Sequence, residues 1–219
     1  EWRCWYDYGN GCMGDWGAHI LDCIHRFTLR SALPKEVAIS NVTGWNQFVF
    51  PIQDTLTMKF DDVTLEWYEG LDNKPTRPEG FRYADNKGLF PASTANGGRI
   101  VPPLKPGKEI YLADGTVWQG LSHSSTLVRV GAQDEKVPAF EKAGSDHWRN
   151  FLLAVKGEEE ARSPFRVTAP LSEVFCLGVI AQRLNRGFKF DPVAKKDVGD
   201  AEVGILLKGP APREGWEEY

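Results

Sequence analysis

The chain predicts an α+β fold: a single domain over residues 1–219, with a large, mostly antiparallel open sheet covered by helices on one face. Three observations carry this. Strand-patterned segments follow one another between residues 37 and 130, helical periodicity is confined to 15–29 and 145–207, and few β-α-β alternations could build a parallel sheet. An open sheet of this size leaves one face bare, and a second copy of the chain is the simplest cover.

Residues 15–29 carry helical spacing, with Trp16, Ile20, Cys23, Ile24 and Phe27 on one stripe. Asp15 suits the start of that helix, where negative charge is favoured, and Ser31 to Pro34 ends it. Strands are expected at 37–43, 54–60 and 63–69, with Asp61-Asp62 as a tight turn between the last two. Residues 70–109 are rich in Pro, Gly, Asn and Lys and read as a long loop region. The segment 109–120 reads as a hairpin with Asp114-Gly115 in a type I′ turn, and 126–130 as another strand. A helix over 145–157 takes Ser145 as its N-cap and Gly157 as its stop. A second runs from Thr168 to Gly187, with Pro170 in its first turn and Leu171, Val174, Phe175, Gly178, Val179 and Leu184 on its buried face. Residues 188–192 form a short strand, and 199–207 a last helical turn or two, after which Trp216 is expected to tuck the tail onto the body.

The 219 residues carry a net charge of −4, a poor match to nucleic acid, which needs a basic patch. No run approaches the ~18 apolar residues of a membrane span, so no membrane partner is expected. The first residues lack the basic start and apolar core of a signal peptide and read as mid-protein sequence, the mark of a domain from a longer chain. Cys4, Cys12, Cys23 and Cys176 make no disulfide scaffold at this length. Cys23 and Cys176 read as buried core thiols. Cys4 and Cys12, without a second pair, make a poor metal site. The cytoplasm is the favoured location, with export of a full-length protein left open.

The segment Gly14 to Asp22 concentrates the chemistry. It sets Asp15, His19 and Asp22 at spacings of four and three, so on a helix all three share a stripe. A carboxylate one turn from an imidazole is a proton-handling pair, because the acid can orient the ring and fix its tautomer. The bland alternatives are a capping Asp15, a packing His19 and a solvated Asp22. A metal held by Asp15, His19, Asp22 and His25 is disfavoured, since metal sites usually recruit ligands from several elements and His25 falls off the stripe. Gly9 to Gly14 spells G-x-G-x-x-G, but the preceding residues are too polar for a central parallel strand. The glycines read instead as a tight turn before the helix, and no residue here is assigned to cofactor binding.

Taken together, WRCWYDYGNGCMGDWGAHILD resembles the start of the C-terminal domain of the Gfo/Idh/MocA family of nicotinamide-dependent sugar and inositol oxidoreductases, the Asp-x-x-x-His after a Gly-rich turn being its specific part. SDHWRNFLLAVKG, the long helix followed by GFKFDP, and VGDAEVGILLKGPAPREGW resemble that family's closing elements in the same order. The resemblance implies His19 as catalytic acid/base and Asp15 as its partner. It places Asp22, Arg3, Trp5 and Tyr8 on the substrate side, where an aromatic face and a guanidinium suit a polyhydroxylated or acidic sugar. It also implies NAD or NADP, bound mainly by an N-terminal Rossmann domain of the same protein that these residues do not include. The expected partners are a carbohydrate or cyclitol substrate, that Rossmann domain, and a second copy of the chain across the sheet face. Two alternatives stay open: half of a NAD-assisted glycoside hydrolase or lyase, and a non-catalytic sugar-binding or assembly module.

Overall fold

The alternation that marks strands in the sequence is realised as an antiparallel sheet of five strands in a computed structural model. It describes residues 2–81, 93–94, 100–101, 108–120, 127–130, 135–136 and 144–216. The fold is α+β, with an open antiparallel sheet and several helices. The chain divides into two compact units, one formed by residues 1–75 and 163–219, the other by residues 76–162.

In the first unit the strands are β1 (Glu36–Thr43), β2 (Gln53–Lys59), β3 (Thr64–Glu69), β10 (Phe188–Asp191) and β11 (Lys196–Asp197), ordered β11-β10-β1-β2-β3. Period-two alternation sends Val37, Leu56, Met58, Leu65, Trp67, Phe188 and Phe190 to one face, where all are buried. The opposite face is polar. Lys59 Nζ donates to Glu36 Oε1 at 2.8 Å, and the Tyr68 hydroxyl donates to Glu66 Oε2 at 2.7 Å. Such a face tolerates water.

Three helices belong to this unit: α1 (Gly11–Ile20), α3 (Phe165–Leu184) and α4 (Ala201–Lys208). The second helix in chain order, α2 (His147–Val155), belongs to the other unit. By length and composition α3 could cross a membrane. Its Val174, Phe175, Leu177 and Ile180 are instead buried in the core formed with Leu56 and Met58, as befits a central helix. Helix α3 starts at Phe165, three residues earlier than expected, which leaves Pro170 inside the helix rather than in its first turn. It ends on Asn185 in the left-handed conformation (φ 50°) rather than on Gly187. Gly187 matters instead for a close approach. A Cβ there would lie 2.7 Å from the Val37 carbonyl oxygen, so the absent side chain lets the chain pass close to β1.

Helix α1 differs most from expectation. It starts at Gly11, with Asn10 as N-cap, so Asp15 sits in the second turn and caps nothing. A π-helical turn, Ile24–Thr28, follows it. The buried stripe is Met13, Gly17, Leu21 and His25. Of the expected stripe, Trp16, Ile20, Ile24 and Phe27 face outward, Phe27 being 73% exposed, and Cys23, expected in the core, is only half-buried. The reason is Gly17. A Cβ there would lie 2.7 Å from the Phe175 ring, so the glycine lets α1 close onto α3 and brings its own face inward. Cys176, expected in the core, is exposed, as is Trp216.

The second unit holds a four-stranded antiparallel sheet of β6 (Lys108–Tyr111), β7 (Val117–Gly120), β8 (Leu127–Val130) and β9 (Glu135–Lys136) in that order. A short ladder of β4 (Ser93–Thr94) and β5 (Ile100–Val101) accompanies it. The β6–β7 connection is not a two-residue type I′ turn. Gly115 N donates to Leu112 O, Leu112 N donates to Thr116 O, and Gly115 has φ +82°. That pattern is a three-residue loop, in which only the last position needs the left-handed region. Helix α2 is capped by Asp146, whose carboxylate accepts from Trp148 N and Arg149 N, while the expected cap Ser145 donates its hydroxyl to Glu159. Most of the expected 70–109 loop lies outside the described residues.

Candidate functional site

The sequence-predicted residues gather on the outer surface of the first unit. Asp15 and His19 stand one turn apart on α1, both exposed, and Asp22 follows, also exposed. Arg3, on the 3₁₀ turn Trp2–Cys4, donates from its guanidinium to Asp15 Oδ2 at 2.7 Å. A backbone contact brings that turn to the helix: a Cβ on Gly9 would lie 2.6 Å from Arg3 Cα, so the loop folds directly over the N-terminal segment. That segment is pinned further on, where Tyr6 N donates to Phe48 O and Phe50 N donates to Cys4 O. The Trp16 and His19 rings meet edge to face, with centroids 5.8 Å apart. Trp5 and Tyr8 are 46% and 71% exposed. The structure thus joins Arg3 to Asp15 and Trp16 to His19, and leaves Trp5, Tyr8 and Asp22 at the surface of the same unit.

The G-x-G-x-x-G segment has a packing explanation. Gly9 clears Arg3, Gly11 turns at φ +59° against the Phe50 ring, and Gly14 lies inside α1. The strand that would give the motif a dinucleotide role is absent before it among the described residues.

A second constellation, missed in the sequence, lies behind α1. Asp54 on β2 and Glu69 on β3 are direct register partners. Both fall on the inward parity, Asp54 with Leu56 and Met58, Glu69 with Leu65 and Trp67. Gln182, on the buried stripe of α3, donates from Nε2 to Asp54 Oδ2 at 2.9 Å and to Glu69 Oε2 at 3.2 Å. Trp67 Nε1 also donates to Glu69 Oε2, at 3.2 Å. The Gln182 backbone carbonyl accepts from the Tyr6 hydroxyl and from Trp45 Nε1. Burial, reinforced by the neighbouring Glu69 charge, pushes Asp54 up to about 7. Burial likewise raises Glu69, against the donors Trp67, Gln182 and Cys12. The Cys12 thiol is pushed up to about 12, first by burial and then by the Glu69 charge, so it stays a neutral thiol. The signal that could have revealed this cluster was an acid at an inward position of each of two neighbouring strands.

No family model matches the chain. No curated protein matches it either. Among solved structures, a Bacillus subtilis protein, yvaA, provisionally described as an oxidoreductase, is similar at 13% identity with a TM-score of 0.46. The likeness covers 87% of this chain and 53% of that one, so the chain spans about half the length of that structure.

Proposed function

We propose that this chain is the substrate-binding and catalytic half of a Gfo/Idh/MocA-like oxidoreductase that oxidises a secondary alcohol of a sugar or cyclitol. The observation that supports this reading is the exposed Asp15–His19 face of α1, with Arg3 held 2.7 Å from Asp15. A proton-handling pair kept outward does nothing for the core, yet it is placed to meet a molecule arriving from outside. In this reading His19 takes the hydroxyl proton and Asp15 orients the ring. Arg3, Trp5, Tyr8 and Asp22 line the substrate side. A nicotinamide held by a Rossmann domain of the same protein accepts the hydride, and this chain supplies position and proton transfer. A second copy on the open sheet face belongs to the same proposal.

The test uses the product of the whole reading frame that contains this chain. It is incubated with a panel of sugars and cyclitols and with NAD or NADP, and NADH or NADPH formation is followed. Turnover is expected with one substrate class, and His19→Ala is expected to lower kcat/KM by roughly 10²–10⁴-fold. Asp15→Asn lowers it less. Unchanged turnover in His19→Ala overturns the assignment. Product formed without net NADH moves the protein to redox-assisted glycoside cleavage, and sugar binding that survives both variants without turnover makes it a binding module.

A further inference from the structure

Strand β3 is the terminal strand of the five-stranded sheet, and the outward apolar stripe of α1 borders a groove against it. Between them runs an open groove of about 490 Å³, within the range of small-ligand sites. Trp16, Ile20 and Ile24 line it from the α1 side, and Trp67 and Pro75 line it from the β3 side. Its charged lining is of one sign: Glu66 and Glu69, with no Lys, Arg or His among the described residues that line it.

Glu69 is the informative member. Its carboxylate accepts from Trp67, Gln182 and Cys12, all neutral donors. Asp54 stands directly opposite it, 0% exposed, with Oδ1 unpartnered. Buried carboxyls are normally paired with a cation or held neutral. Among the described residues no Lys or Arg forms an ion pair with either. Of the two, Glu69 reaches the groove.

We propose that this groove binds a small organic cation, an alkyl- or arylammonium, with Glu69 as its charge partner and Trp16 and Trp67 enclosing its apolar body. An ammonium on an apolar stem is the chemistry that meets all three features. The carboxylate attracts the charge, the indole faces favour a cation, and Ile20 and Ile24 take the stem. Burial raises Glu69, against hydrogen bonds from Trp67 on its own strand, Gln182 on α3 and Cys12 on α1. Its charge in turn raises the facing Asp54 on β2, Cys12 and Tyr6, the last held down by Arg183 of α3. A cation at Glu69 favours the ionised forms of the Asp54–Glu69 pair, so binding near pH 7, where Asp54 titrates, is accompanied by partial proton release. This proposal stands apart from the oxidoreductase reading.

The test is isothermal titration calorimetry of the 219-residue chain with benzylammonium, benzyl alcohol and phenylacetate. Benzylammonium is expected to bind saturably and roughly tenfold more tightly than benzyl alcohol, with phenylacetate weakest. Heats measured in two buffers of different ionisation enthalpy are expected to differ by the released proton. Glu69→Gln is expected to erase the preference for the cation. Trp16→Ala, at an exposed position that does not threaten folding, is expected to weaken all three probes while keeping their order. Equal affinity for benzylammonium and benzyl alcohol overturns the proposal, and so does cation binding that Trp16→Ala leaves unchanged.

Discussion

The side-chain amide of Gln182 on α3 donates to Asp54 Oδ2 on β2 at 2.9 Å, tying the central helix to a fully buried carboxyl of the sheet. Asp54 Oδ1 and Gln182 Oε1 are both buried without a partner, and both are acceptors while Asp54 is ionised. A proton on Asp54 turns one of the two into a donor. Burial first, and then the Glu69 charge, outweigh the Gln182 bond, which by itself favours the carboxylate, and push Asp54 up to about 7.

Stability should respond to pH accordingly. The folded chain holds the Asp54 proton more tightly than the unfolded chain does, so this contribution is complete below the ordinary value of 3.8 and is lost as pH rises to about 7. The urea midpoint is expected to fall across that window, and Asp54→Asn is expected to remove most of the fall. A parent midpoint that rises across the window, with Asp54→Asn leaving it unchanged, contradicts the neutral assignment.

His25 works in the opposite direction. It sits at 2% exposure in the π-helical turn, its Nε2 donating to Ala32 O at 2.9 Å and its Nδ1 buried without a partner. Burial lowers its pKa from 6.5, outweighing the Ala32 bond and the Asp22 charge, so its contribution is present above 6.5 and lost on acidification. Unfolding curves of His25→Gln below about pH 6.5 should show a shallower acid loss than the parent.

Gly17→Ala places a methyl 2.7 Å from the Phe175 ring and forces α1 away from α3. A cost of about 1–3 kcal/mol is expected by denaturant unfolding. A more stable variant would show that the seam between the two helices is loose.

Asp15→Asn and His19→Ala are expected to change stability by less than about 1 kcal/mol, because exposed ion pairs and surface side chains contribute little. Thermal unfolding of both variants checks this. A larger loss would return the pair to a structural role and weaken the proposed function.

Much of the architecture was legible in the residue pattern. Leu56 and Met58, Leu65 and Trp67, Phe188 and Phe190 alternate, and alternation reports strands because neighbouring side chains leave a strand on opposite faces. Part of the buried face of α3 was legible for the same kind of reason: Leu171, Val174, Phe175 and Gly178 recur at helical spacing and are buried, while Val179 and Leu184 are half-buried and Leu177, Ile180 and Ala181 join the face instead. That Asp15 and His19 stand one turn apart on the exposed side of α1 needed only the helical repeat.

Contacts between elements decided the rest. The buried face of α1 depends on Gly17, which carries no hydrophobic signal and acts through the space it leaves for Phe175. The Arg3–Asp15 pair depends on the N-terminal segment folding back over Gly9. The Asp54–Glu69–Gln182 cluster joins residues up to 128 positions apart and exists only through the β2–β3 register and the seat of α3 on the sheet. Periodicity records how one segment divides between water and core, so it carries the elements and their faces. Which faces meet, and which charges are stripped of water where they meet, is set by packing between segments distant in the chain, and local pattern holds no record of it.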